Sequence, residues 1–271
     1  MDRYRFVARG RVWALSTTFC WLALLGARAE LGLDWSALAV LPAAEGQLEH
    51  PGVAGPFAGV HGDALLVAGG ANFPNEPLWE TDKVWHNDIF VLQRTAGGDL
   101  SWRDGGHLPR PLAYGAAVST PEGVVCMGGD DGESIRDEVF LLAWDENTGS
   151  VSQTTYPSLP APSAYGQASL IGEVIYLAGG QSGKTLDTAQ STFWALDLSL
   201  QRTPAFSWVE LEPWPGPSRA FNLTVAQHNG YDECLYVMSG RREEGGEVQF
   251  LQDVWEYNPR QSAWRARATL P

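Results

Sequence analysis

The sequence predicts an all-β chain built as a propeller, and three observations carry that prediction. An apolar strand runs into a glycine pair in GDALLVAGG, GVVCMGG and VIYLAGG, and into a Ser-Gly variant in CLYVMSG, with the second glycines at Gly70, Gly129, Gly180 and Gly240. These glycines lie 59, 51 and 60 residues apart, near the period of about 50 that marks kelch repeats. Each unit then continues through a polar loop into a strand bearing an aromatic: DIFVLQ, DEVFLLAW, STFWALDL and DVWEYN. Alternation of apolar and polar positions suits strands between a core and solvent.

Taken in order, the chain opens with a segment unlike the rest. Arg3, Arg5, Arg9 and Arg11 precede an apolar run from Val12 to Gly26, which ends at Ala27-Arg28-Ala29. That is the pattern of a cleavable export signal over residues 1–29, cut after Ala29, and its apolar core is too short to favour a membrane span. The mature chain, 30–271, is expected in the periplasm or outside the cell, with no membrane span after cleavage. It keeps 13 basic and 31 acidic residues, a net charge near −18. Nucleic acid is excluded as a partner, because phosphate binding needs a concentrated positive surface. Cys126 and Cys234 fall in apolar strands of non-neighbouring units and read as buried free thiols.

Each unit begins with a hairpin. In VAGPFAGVHGDALLVAGG the turn is His61-Gly62-Asp63, and the apolar run Ala64–Ala68 enters the glycine pair. The last strand of a unit is marked by a Trp six residues before an Xaa-Pro step: Trp102 before Leu108-Pro109, Trp208 before Trp214-Pro215 and Trp264 before Leu270-Pro271. The second unit keeps the step as Leu159-Pro160 without the Trp. Proline cannot donate to a ladder, so each step reads as the exit from an outer strand. Four full blades follow, preceded by one orphan outer strand from Asp34-Trp35 to Leu41-Pro42 with the same spacing. An orphan first strand implies circular closure. The chain reads as an incomplete ring, with one apolar face of the unit after Pro215 left bare.

The residues after each glycine pair and the inter-blade connections are expected on one face over the central channel, where propeller ligands sit. Asn72, Arg110, Asp130, Arg219 and Arg241 are the substrate-binding candidates on that face. A guanidinium fork grips a carboxylate at two points, so the arginines suit a carboxylated small molecule. The same arginines could instead pair with Asp and Glu across blade junctions, and Asn72 and Asp130 could serve turn chemistry after glycine. His86 lies where a third strand begins and could approach the same face; His61 and His228 belong to hairpin turns opposite it. The five His are scattered singly and no Cys-x-x-Cys or His-E-x-x-His occurs, so neither a metal nor another cofactor is expected. No Gly-x-Ser-x-Gly elbow is present.

In VAGPFAGVHGDALLVAGGANFPN, KVWHNDIFVL and LPRPLAYGAA the chain resembles the cyclically permuted branch of the N-acetylneuraminate epimerase (sialic acid mutarotase) family. The likeness extends over roughly residues 34–271, with the first two units its specific part. It implies an exported six-bladed kelch propeller, an isomerase that interconverts the α and β anomers of sialic acid without metal or cofactor. It also implies a catalytic Glu and Arg in a Gly-Glu...Arg loop of one blade. Gly132-Glu133...Arg136 only echoes that loop in a different blade, and Gly246-Glu247 lacks the Arg, so the catalytic residue is unassigned. The alternative is a non-catalytic kelch module that binds a glycan or protein. Galactose oxidase shares the kelch ring, but its copper ligands have no counterparts here.

Overall fold

The computed structural model describes residues 37–43, 50–74, 80–95 and 97–271. The proposed signal and Asp34-Trp35 lie outside the described residues, as does Asn75. Within them the chain is β throughout, apart from single 3-10 turns at Leu186–Thr188 and Leu198–Leu200.

Four four-stranded antiparallel sheets follow one another. The first holds β1 (Phe57–His61), β2 (Ala64–Ala68), β5 (Asp88–Arg94) and β6 (Leu100–His107), with a short hairpin of β3 (Ala71–Asn72) and β4 (Val84–Trp85) between β2 and β5. The second is β7 (Ala116–Thr120), β8 (Gly123–Asp130), β9 (Ile135–Asp145) and β10 (Ser150–Tyr156). The third is β11 (Gln167–Ile171), β12 (Val174–Ala178), β13 (Phe193–Asp197) and β14 (Val209–Glu210). In the fourth, β15 (Leu223–His228), β16 (Glu233–Met238), β19 (Val254–Asn258) and β20 (Ala263–Ala266) enclose a second hairpin, β17 (Arg241–Glu244) and β18 (Glu247–Phe250).

That second hairpin replaces the polar loop expected after Gly240. Gly245 and Gly246 both take positive φ, 64° and 83°, which is what a two-residue hairpin turn demands. In the second unit the glycine pair does not end a strand either. β8 runs on through Gly129 and Asp130, with a register shift between Met127 and Gly129.

Strand alternation builds the core between sheets. On β8, Val124 and Cys126 face the first sheet, packing with Leu66, Val91 and Leu142. Their neighbours Val125 and Met127 face the third, against Ile175, Leu177 and Trp194. Tyr176 and Phe193 meet Leu235, Val237 and Tyr257 at the third junction. Each such side chain stabilises the fold by about 1.5–3 kcal/mol relative to exposure. Cys126 and Cys234 are free and buried.

The first glycine of each pair is fixed by close approach. A Cβ at Gly69 would lie 2.1 Å from the carbonyl oxygen of Leu112, and one at Gly128 would lie 2.1 Å from that of Ser163. Both glycines also hold positive φ. The connection into the next sheet crosses directly over them, and Gly70, Gly129 and Gly180 donate their N–H groups to Leu112, Ser163 and Arg219 of that connection, each at 2.9 Å. In the fourth sheet the position is Ser239, and no later connection crosses it among the described residues.

The far face of the fourth sheet corrects the expectation of a bare apolar surface. Leu223 and Val225 on β15 are 49% and 43% exposed, as expected. Farther out, at the register position held by Val91, Leu141 and Ala195 in the other sheets, stands Glu256. It is buried, gripped by Arg267 through Nε at 2.9 Å and Nη2 at 2.5 Å, and accepts the Tyr236 hydroxyl at 2.6 Å. Around Glu256 this face is therefore a charged network rather than bare apolar surface.

Candidate functional site at the channel mouth

The innermost strands β1, β7, β11 and β15 stand side by side, each against the next, on the side that faces the channel of a closed propeller. At its mouth the residue after each glycine pair forms an isolated antiparallel bridge with the incoming connection: Ala71 with Ala54, Asp130 with Ala113, Gln181 with Ala164 and Arg241 with Ala220. The two sets of residues expected on one face are thus joined by backbone hydrogen bonds.

Immediately after each bridging alanine of the three later connections comes an aromatic in the left-handed region: Tyr114, Tyr165 and Phe221, with φ of 60°, 60° and 58°. Bulky residues rarely adopt this conformation, and each costs on the order of 1–3 kcal/mol, a pattern that concentrates at functional sites. The backbone links them into a chain: Tyr114 donates to the Gly55 carbonyl, Tyr165 to Tyr114 and Phe221 to Tyr165, at 2.7, 2.7 and 2.6 Å. Their rings follow in the same order, Tyr114 stacked on Tyr165 with centroids 4.8 Å apart and Phe221 tilted against Tyr165 at 4.6 Å. Gly55 takes the aromatic's place in the first connection because a Cβ there would lie 2.3 Å from Tyr114 Cδ1.

Cations cap this row at both ends. Lys83 Nζ sits 4.2 Å from the Tyr114 centroid and 5.1 Å from that of Trp85, while the Arg241 guanidinium sits 4.1 Å from Phe221. Such contacts contribute about 0.5–2 kcal/mol each. Neither cation pairs with a carboxylate among the described residues, although acidic side chains outnumber basic ones 32 to 18 in the full sequence. The Arg241 Nε–H is buried without a partner.

Asp130 is buried beside the row. Its Oδ1 accepts from Gly132 N–H at 2.8 Å, and its Oδ2 accepts from the Tyr165 hydroxyl at 3.2 Å. Burial, then the Asp130 carboxylate, pushes the Tyr165 phenol far above its ordinary range. Asn72 stands on β3, its Oδ1 bonded to His86 Nε2 at 2.8 Å and its Nδ2 donating to the Gly52 carbonyl at 2.8 Å. His86 therefore does reach this face, as its hydrogen bond to Asn72 shows.

The other arginines lie elsewhere. Arg110 is exposed and pairs with Glu138 at 3.4 Å. Arg219 is wholly buried: Nη2 meets Asp253 Oδ2 at 2.6 Å, Nη1 donates to the Ser239 carbonyl at 3.0 Å, and the guanidinium packs on Trp214. Its polar groups are spent inside the junction of the third and fourth sheets. Arg136, from the Gly-Glu...Arg echo, is paired with Asp131. His61 accepts from the Trp144 N–H at 3.0 Å, and His228 accepts from Gly230 in its own turn.

Two cavities open along the row. One, of about 320 Å³, lies at the channel mouth against Tyr114, Tyr165, Phe221 and Asn222. The other, of about 670 Å³, forms a shelf outside it, walled by Pro51, Asn72, Phe73, Lys83 and Tyr114. A third of about 270 Å³ lies behind Asn72, where His50, His86 and His107 converge. Burial, followed by the charge of His86, lowers the pKa of His50. Among the described residues no three His, Cys, Asp or Glu side chains are placed to hold a metal ion, and no helix is long and apolar enough to cross a membrane.

Tyr114, Tyr165, Phe221 and Lys83 are not among the residues that sequence reasoning singles out. A usable signal is present in the triplets Ala113-Tyr114-Gly115, Ala164-Tyr165-Gly166 and Ala220-Phe221-Asn222, whose alanines precede the second glycine of the following pair (Ser-Gly in the last case) by 16, 16 and 20 residues.

Comparison with known proteins places this geometry. The family model for N-acetylneuraminate epimerase matches residues 8–151, just over half of the chain. A protein of Brucella melitensis biotype 1 named N-acetylneuraminate epimerase is 41% identical over 128 residues, covering 43% of this chain and 32% of the relative. One of Yersinia pestis (strain Pestoides F) with the same name is 31% identical over 158 residues, covering 53% of this chain and 38% of the relative. The match thus spans about a third of the length of these curated relatives. The solved structure of YjhT superposes with a TM-score of 0.66 at 16% identity, covering 88% of this chain and 74% of that one, and so supports the propeller fold over all four sheets.

Proposed function

The chain belongs to the N-acetylneuraminate epimerase family, and from that premise we propose that it binds N-acetylneuraminate at the channel mouth and exchanges the sugar's α and β anomers. The observation that carries this reading is Arg241, a cation without an acidic partner among the described residues, held over Phe221 at the end of the aromatic row. A planar guanidinium with free N–H groups matches the sugar's carboxylate in two-point geometry. Tyr114, Tyr165 and Phe221 line the adjoining space that would take the pyranose.

Anomer exchange passes through the open-chain ketone. A base removes the proton of the anomeric hydroxyl as the bond from C2 to the ring oxygen breaks, and an acid protonates that oxygen. Closure onto the other face of the ketone then reverses both transfers. The group offered here is Asp130 with Tyr165: as the Tyr165 hydroxyl takes the anomeric proton it passes its own to the Asp130 carboxylate, and the same pair returns a proton to the ring oxygen. We propose in addition that the Arg-rich apolar leader ending at Ala27-Arg28-Ala29 directs the chain outside the cytoplasm.

Binding without catalysis is the second reading. It is favoured by the commitment of both Asp130 oxygens to internal donors and by the pairing of Arg136 with Asp131. Exchange spectroscopy by NMR on equilibrating N-acetylneuraminate separates the two. Acceleration that is lost in Asp130→Asn supports the mutarotase, whereas binding with only the spontaneous rate supports the module.

A further inference from the structure

Lys83 is the least expected member of the mouth. In a strongly acidic chain it has no carboxylate partner among the described residues and is held over two rings, Tyr114 and Trp85. It stands on the shelf cavity, whereas Arg241 stands at the other end of the row, with Tyr114, Tyr165 and Phe221 between them. An ion pair needs its charges within about 4 Å. One carboxylate cannot satisfy both cations across three rings.

The walls of the shelf differ from those of the channel mouth. Phe73, 38% exposed, and Pro51 supply apolar surface. Asn72 retains one amide hydrogen beyond its bond to Gly52, and His86 fixes which way the amide points. Apolar surface with a few convergent polar groups is the character of a ligand pocket, and the two cavities share Tyr114 as a common wall.

Resting on the reading above, in which one acidic sugar occupies the channel mouth, we infer that the shelf formed by Lys83, Asn72 and Phe73 is a second subsite for the adjoining unit of an acidic oligosaccharide. The ligand class is a glycan with carboxylates on at least two successive residues. Lys83 then receives the second carboxylate, and Phe73 receives the apolar face or N-acyl group of that unit.

Isothermal titration of the 271-residue chain at low salt with N-acetylneuraminate and with its α2,8-linked dimer tests the inference. The dimer should bind at least tenfold more tightly than the monomer. In Lys83→Gln the ratio of the two affinities should fall to near one, and in Phe73→Ala, which leaves every charge in place, it should fall severalfold. Equal affinities in the wild type, a ratio unmoved by both variants, or no binding of either sugar would overturn it. Anomer exchange without a dimer preference sinks this inference alone. A dimer preference without anomer exchange sinks the catalytic reading and leaves the second subsite standing.

Discussion

The indole Nε1–H of Trp102 donates to the carbonyl of Ala39 at 2.7 Å. The same bond recurs at 2.9 Å from Trp208 to Pro157 and from Trp264 to Glu212, in each case to the residue three before a proline. Each Trp of an outer strand is thus tied to the exit of the preceding outer strand. Residues 37–43 carry no strand pairing, yet Ala39 takes the place that such an exit takes in the later sheets. The orphan outer strand expected from Asp34-Trp35 to Leu41-Pro42 is therefore not a strand over its described residues, which keep only the hydrogen-bonding position of an exit.

Replacing Trp264 by Phe keeps most of the ring and removes the N–H. The Glu212 carbonyl loses its donor, so stability should fall by about 1 kcal/mol. Chemical denaturation of the variant measures the change, and Trp208→Phe should give a loss of similar size.

Gly55→Ala tests the aromatic row from its other end. The new Cβ meets the Tyr114 ring at 2.3 Å and must adopt φ near +61°, a conformation that costs an L-residue about 1–2 kcal/mol. Stability should drop by at least that amount. The Tyr114 ring should be displaced from Lys83, visible as a changed ring-proton shift of Tyr114.

Arg219→Met breaks the buried pair with Asp253. Burial alone would raise the Asp253 pKa, but its bonds to Arg219 and Trp255 outweigh this and hold it below the usual value. A depressed carboxylate contributes stability above the unfolded pKa, near 3.9, that is lost as pH falls through the folded value. Asp253 retains 29% of its side-chain exposure, so the substitution should cost about 2–3 kcal/mol at pH 7, less than the 3–5 typical of a fully enclosed pair. The acid limb of a stability curve, measured by denaturation from pH 6 to pH 2, should flatten in the variant.

How much of this was legible in the sequence follows from which interactions are local. Four units, their glycine pairs and the Trp-to-Pro spacing are encoded in consecutive residues, and the four sheets repeat them. The aromatic row is not local: Tyr114, Tyr165 and Phe221 meet only because three sheets bring their connections together. Arg219 shows the converse. Its charge and its place after a proline suggested reach toward a ligand, but Asp253, 34 residues later, turns it inward. Glu256 broke the apolar pattern of the fourth sheet because Arg267 and Tyr236 complete its hydrogen bonds.

Alkaline titration probes that last network. Burial first, and then the hydrogen bond to Glu256, pushes the Tyr236 phenol up to about 12. Its raised value favours the folded state below the ordinary tyrosine pKa of about 10. That contribution should be lost as pH rises from there toward 12. Stability measured across this window should decline in the wild type and decline less in Tyr236→Phe.

We propose that Arg241, at the end of the aromatic row, receives the carboxylate of N-acetylneuraminate. The most direct measurement is an NMR titration of the sugar into protein with ¹³C-labelled Phe and Tyr rings, in the wild type and in Arg241→Gln. Saturable shifts of the Phe221 and Tyr165 rings are expected, with affinity weakened at least tenfold in the variant, equivalent to about 1.4 kcal/mol. Ring signals that do not respond to the sugar, or an affinity unchanged by Arg241→Gln, would contradict it.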